Sequence, residues 1–192
     1  MNIFLRMKHW QLFLLMVGIP IIIEFIGLGI MFTTRDPKSM FFVFPLIMFF
    51  SILINLGWLN ALGINLTKKL PETVKMKLNK FKWFLYFPMI YMLILSVFIL
   101  GILNGLSFGL IPTPLLLLLI LPIHLFSMFC LFYCLYYISK TLKAVELQRP
   151  VIFNDYAGEF FLLWFFPIGL WIIQPRINKL FAESSTASVL SL

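Results

Sequence analysis

The sequence predicts an all-α fold, a polytopic transmembrane helix bundle of four spans plus a short re-entrant or interfacial hydrophobic segment. Three observations predict it. Four long runs are almost purely apolar, lysine and arginine crowd into two of the three connections between them, and hydrophobic residues make up 62% of the 192 residues against 11% charged. A soluble domain carries about a quarter charged residues, so too little polar surface exists here to form a water-facing shell. With much of the chain consumed by spans, no soluble catalytic domain of the usual size, about a hundred residues, fits as well. A net charge of +8 in a soluble protein would suggest nucleic acid. Beside apolar spans, basic residues set topology instead, and no nucleic-acid partner is expected.

The first span runs from about Leu12 to Phe32 and is preceded by Arg6, Lys8, His9 and an interfacial Trp10. Its apolar part, about 20 residues, lacks a small-residue cleavage pattern, so an uncleaved anchor is expected rather than a signal peptide. After the turn-like TTRDPKS, the second span covers roughly Met40 to Gly63 and carries Asn55, Trp58 and Asn60. Gly57 and Ala61 form a small-xxx-small pair that would let helix backbones approach in lipid. Lys68 to Lys82 then holds six lysines and one glutamate. Val74, Leu78 and Phe81 recur at helical spacing, with Lys75, Lys77, Lys80 and Lys82 on other faces. A short amphipathic helix from Pro71 on anionic lipid headgroups fits this pattern, as does a plain positive-inside loop.

The third span extends from about Trp83 to Leu103 and leads into the uncharged NGLSFGLIPTP. There Gly101, Gly105 and Gly109 fit a glycine zipper, while Asn104 and Ser107 fit a tight turn. The fourth span, Leu115 to about Ser139, contains Pro122 and His124 and ends in Lys140 and Lys143. Its cysteines, Cys130 and Cys134, lie one helical turn apart without metal-ligand neighbours and are read as small packing groups. Lysine and arginine number two in the N-terminus, two in the first loop, six in the second, none in the third and three in the fourth. A cytoplasmic N-terminus puts 11 of these 13 on one side, as the positive-inside rule expects.

The fifth apolar stretch, Phe160 to Ile173, is only 14 residues long, against the roughly 20 a span needs. Pro167 and Gly169 sit near its middle. Asp155 and Glu159 precede it, and Gln174, Arg176 and Lys179 follow. A hairpin over residues 160–174 would keep all these polar flanks in the cytoplasm, with Asp155, Glu159 and Arg176 forming an ion-pair cluster that closes it. A competing pattern pairs Phe87-Pro88 with Phe166-Pro167 as a weak duplication, which would make this segment a degenerate crossing. The single domain is expected to occupy 1–181, followed by a small, polar, disordered tail over 182–192.

The strings KTLKAVELQRP and DYAGEFFLLWFFPIGLWIIQPRIN, between Lys140 and Asn178, resemble the C-terminal signature of a family of small uncharacterised bacterial integral membrane proteins. Similarity is looser from Trp58 to Lys82. The resemblance implies a bacterial membrane protein of this shape and carries no catalytic residues.

Glu24 and His124 are the ionisable groups inside spans. At 1.5 Å per residue, both lie roughly 12 to 14 Å below the outer surface, so they form a candidate pair, structural or proton-sharing. Asn55 and Asn60 are expected to hydrogen-bond between helices. No nucleophile with a base, no metal motif and no cofactor signature is present, so no enzyme, metal or cofactor is expected. The expected function is an interaction or assembly subunit of a membrane complex, with membrane lipid and either further copies of itself or another membrane protein as partners. An oligomeric channel or proton-linked transporter using Glu24 and His124 is the alternative.

Overall fold

The computed structural model describes residues 3–35, 38–103 and 113–190, with backbone alone for 38–42, 44, 102–103, 113–117 and 183–190. The glycine repeat over Gly105 and Gly109 and most of the third loop lie outside the described residues. Within them the chain is helical, without a strand. Four segments are long and apolar enough to cross a membrane: His9–Thr34, Pro45–Thr67, Leu78–Gly101 and Leu118–Leu147.

The first span is built from α1 (His9–Phe13), a π-helical turn (Leu14–Gly18) and α2 (Ile19–Thr34). Pro20 at the start of α2 has no N–H to donate, and the widened turn before it accommodates the missing bond. The second span is α3 (Lys38–Thr67), the third α4 (Leu78–Leu103) and the fourth α5 (Thr113–Leu147). Charged ends extend these helices beyond the apolar runs, because a helix need not stop where hydrocarbon does. The amphipathic helix expected from Pro71 does not form. Residues 68–77 make turns, closed by a Val74 N–H to Pro71 carbonyl bond of 2.9 Å, and helix begins only at Leu78. Val74 instead packs against Ala144, Val151 and Tyr156.

At the end of α5 the backbone turns left-handed at Gln148 (φ 50°). Gln148 donates to the Val145 carbonyl at 2.6 Å, satisfying an orphan acceptor of the last turn, and Pro150 prevents the helix from resuming. The chain then forms α6 (Phe153–Trp164), breaks at Phe165, and continues as α7 (Phe166–Leu190). Glu159 and Arg176 would be about 25 Å apart along one straight helix, yet their side chains meet at 2.8 Å. The fifth segment therefore folds back on itself. This removes the degenerate-crossing reading and agrees with the hairpin. Its apex depends on Gly169, where a Cβ would lie 1.8 Å from the Leu162 carbonyl oxygen, so no other residue fits without a backbone shift. Helix continues to Leu190, where the composition suggested a disordered tail. Once a helix is running, each added residue gains a bond without a new nucleation cost.

In the packed ring α3 meets α4 and α5, α5 meets α6, α6 meets α7, and α7 closes against α1; the outer half of the first span, α2, packs on α3. The core gathers at the basic end: Leu5, Leu12, Leu62, Leu66, Phe81, Tyr137, Leu170, Ile173 and Ile177 are all buried there. Phe81 stacks on Tyr137 at 4.6 Å. Gly63 makes room for it, since a Cβ there would come within 2.3 Å of the Phe81 ring. The close α3–α4 approach thus rests on Gly63. Of the expected small pair, Gly57 faces the Phe4 ring, which an added Cβ would meet at 3.1 Å, and Ala61 is fully buried.

Candidate functional site at the base of the hairpin

Three helices converge on one charged cluster. Arg176 of α7 donates Nε to Glu146 Oε1 at 2.8 Å and also reaches Glu146 Oε2 and, at 2.8 Å, Glu159 Oε1. Lys143 donates to the same Glu159 oxygen at 3.1 Å. Two cations and two carboxylates therefore neutralise one another. The Glu159 side chain is only 8% exposed, so its charge is tolerable only because both cations are bonded to it. Burial alone would raise its carboxyl, but the Arg176 and Lys143 hydrogen bonds outweigh that and hold it below the ordinary glutamate value. Arg176 is held above its ordinary value, chiefly by Glu146.

Asp155 does not join this cluster. It accepts the Ile152 N–H at 3.0 Å and pairs with both Arg149 Nη atoms at 3.2 Å, capping α6 instead. The backbone N–H, then Arg149, lower its carboxyl. The expected trio is therefore corrected: Glu159 and Arg176 meet, while Lys143 and Glu146 replace Asp155. The missed pair carried a signal in KTLKAVE, where a lysine and a glutamate three residues apart continue one helix face past the apolar run.

A second tie sits two residues earlier on α7. Gln174 is fully buried and accepts the Trp58 indole N–H at 3.0 Å. Its amide nitrogen lies 2.9 Å from the Phe4 carbonyl, the Met7 carbonyl and Asn178 Oδ1, so its two N–H groups are shared among three acceptors. Asn178 also donates to the Met7 carbonyl at 3.1 Å. Trp171 packs on His9 at 4.7 Å and Phe13 at 5.7 Å, and Lys69 bonds the Leu180 carbonyl over the Phe181 ring. Gln174→Leu would leave the Trp58 N–H without its acceptor and remove one donor each from the Phe4 and Met7 carbonyls. A loss of about 1–3 kcal/mol is expected, read as a lower unfolding midpoint in mild detergent.

The intramembrane candidates fare differently. His124 faces Tyr91, with the phenol oxygen 3.5 Å from Nδ1. Glu24 lies exposed on α2 among exposed Ile21, Ile22, Phe25 and Ile26. Among the described residues no ion pair or hydrogen bond joins Glu24 to His124, because α2 packs on α3 while this part of α5 faces α4. Asn55 donates to Ser51 of its own helix at 2.8 Å rather than across helices, as short polar side chains in helices commonly do. The buried Asn60 Oδ1 has no hydrogen-bond partner among the described residues. A pocket of about 300 Å³ between α3, α4, α5 and the hairpin apex is lined by Ser51, Asn55, Trp58, Pro88, Leu131 and Phe166, among others. Lys75, Lys77 and Lys80 are exposed and Lys82 is half-buried. Among the described residues no three His, Cys, Asp or Glu side chains gather as a metal ion would require. Comparison with protein-family models, with curated proteins and with solved structures finds no match to this chain.

Proposed function

We propose that the chain is a non-enzymatic assembly subunit of a membrane complex, seated in a bacterial cytoplasmic membrane with its N-terminus in the cytoplasm. The observation that carries this reading is Glu24. In a lone chain this carboxyl stands on an apolar helix face at membrane depth, where an acidic group costs about 2.5 kcal/mol or more. A polar group on a neighbouring helix from outside this chain relieves that cost. The polar residues of the hairpin, by contrast, are consumed by internal ties, which suits a scaffold better than a reacting centre.

The orientation draws support from the fold-back, which brings Arg176 and Lys179 to the same end as the cations of the N-terminus, second loop and fourth loop. The bacterial assignment rests on the resemblance of the C-terminal strings to small bacterial membrane proteins. Purification in mild detergent tests the function. A different membrane protein held in fixed stoichiometry by the wild type and lost in Glu24→Leu supports the subunit. A homo-oligomer that conducts ions in liposomes, with conductance abolished by Glu24→Gln, overturns it in favour of a channel or transporter in which Glu24 and His124 meet between copies.

A further inference from the structure

The seam between α4 and α5 carries a cationic, aromatic head and an apolar groove in line below it. At the basic end, Lys80 lies over the rings of Tyr133 at 5.1 Å and Phe84 at 5.5 Å. Lys140 lies over Tyr136 at 5.5 Å and donates to its hydroxyl at 3.1 Å. The two tyrosine rings are 5.9 Å apart. Tyr133, Tyr136 and Lys140 fall at i, i+3 and i+7, so one face of α5 presents all three, and Lys80 joins them from α4. Among the described residues neither lysine has a carboxylate within ion-pair distance; the ion pairs on this end are taken by Lys143, Arg149 and Arg176.

Below this head the seam is lined with rings: Phe84 meets Tyr133 at 4.6 Å, and Phe87 meets Phe126 at 4.9 Å. A groove of about 400 Å³ then opens on the lipid-facing side, lined by Trp83, Phe87, Ile90, Tyr91, Ile94 and Ile123. From Lys80 to Ile94 the helix rises about 21 Å, more than one leaflet's half of the roughly 30 Å hydrocarbon core. Head and groove therefore match the two parts of one lipid molecule.

We infer that the α4–α5 seam binds an acidic phospholipid, its phosphodiester between Lys80 and Lys140 and one acyl chain in the groove ending at Ile94. The tyrosine hydroxyls supply neutral donors beside the two ammonium groups, and the rings hold the lysine stems at the headgroup level. This set shares Lys80 with the exposed lysines of the second loop and adds Lys140 and two tyrosines from a helix about sixty residues further along the chain.

Native mass spectrometry of the full chain in mild detergent tests the inference with dioleoyl phosphatidylglycerol and dioleoyl phosphatidylcholine at equal concentration. The expected result is about tenfold greater retention of the acidic lipid. Lys80→Gln with Lys140→Gln lowers it to the phosphatidylcholine level, and Lys80→Arg with Lys140→Arg keeps it. Ile90→Trp fills the groove without touching a charge and lowers retention as well, which preserves the test if the glutamine variant fails to fold. Equal retention of the two lipids overturns the inference, as does unchanged retention in the substituted chains. Displacement of the acidic lipid by equimolar inorganic phosphate would reveal a simple anion site and likewise overturn it.

Discussion

Gly169→Ala should open the hairpin, with the largest loss of stability of any alanine placed at the described glycines. The new Cβ would occupy space 1.8 Å from the Leu162 carbonyl oxygen, and backbone cannot rotate aside as a side chain can. Either the Phe165 turn widens or α7 moves away from α6, and each separates Gln174 and Arg176 from their partners. A loss of about 3 kcal/mol or more is expected. The informative control is Gly158→Ala in the same hairpin, where nothing lies within 4 Å of the added carbon. That change should be neutral or stabilising by about 0.5–1 kcal/mol, since alanine is the better helix former. Thermal unfolding in detergent measures both. Reactivity of a cysteine placed at the buried Ile177 towards a water-soluble maleimide reports the opening itself: slow in the parent and in Gly158→Ala, fast in Gly169→Ala. Equal melting of the two alanine variants would contradict the close approach at the apex.

Arg176→Glu is expected to follow closely. It places a third carboxylate against Glu146 and Glu159 and leaves Lys143 to balance all three. Breaking a largely buried pair in this way costs about 3–5 kcal/mol. Adding Glu159→Arg restores one attractive contact but leaves Glu146 facing the introduced carboxylate, so the rescue should be partial. A double-mutant cycle should return a coupling of about 0.5–3 kcal/mol, and strict additivity would mean that the two side chains do not interact. Acid should weaken the same cluster. Glu159 is held below its ordinary value in the folded chain, so its contribution is fully present above the unfolded value, about 4.3, and is lost as the pH falls through the folded value. Below about pH 4 the unfolding midpoint in detergent should therefore fall, and Glu159→Gln should flatten that fall.

The four spans were legible because span length follows from apolar runs, a quantity that a sequence carries directly. The hairpin was readable for the same reason: Phe160 to Ile173 is too short to cross, and Pro167 with Gly169 marks its bend. Azimuth is another matter. Glu24 and His124 share a depth because rise per residue is fixed, but which neighbour each side chain turns towards depends on packing, and α2 packs on α3 while the His124 part of α5 faces α4. The charge cluster was half legible. Glu159 and Arg176 were visible as flanks of the bend, whereas Lys143 and Glu146 were hidden by the assumption that the fourth helix ends with its hydrophobic stretch near Ser139. Gln174 stood in plain view as one polar flank. Its bond to Trp58 spans 116 residues, and no local pattern announces a contact at that separation.

The bonds from Gln174 and Asn178 back to the Phe4 and Met7 carbonyls bridge 170 and 171 residues. At roughly 5–20 residues per second, a ribosome spends about 10 to 30 seconds between making the two partners. During that interval the start of the first span lacks the Gln174 and Asn178 donors to those carbonyls. Closure of the bundle is therefore a late step in biosynthesis, and a polypeptide cut short before Gln174 would present an unlatched amino terminus.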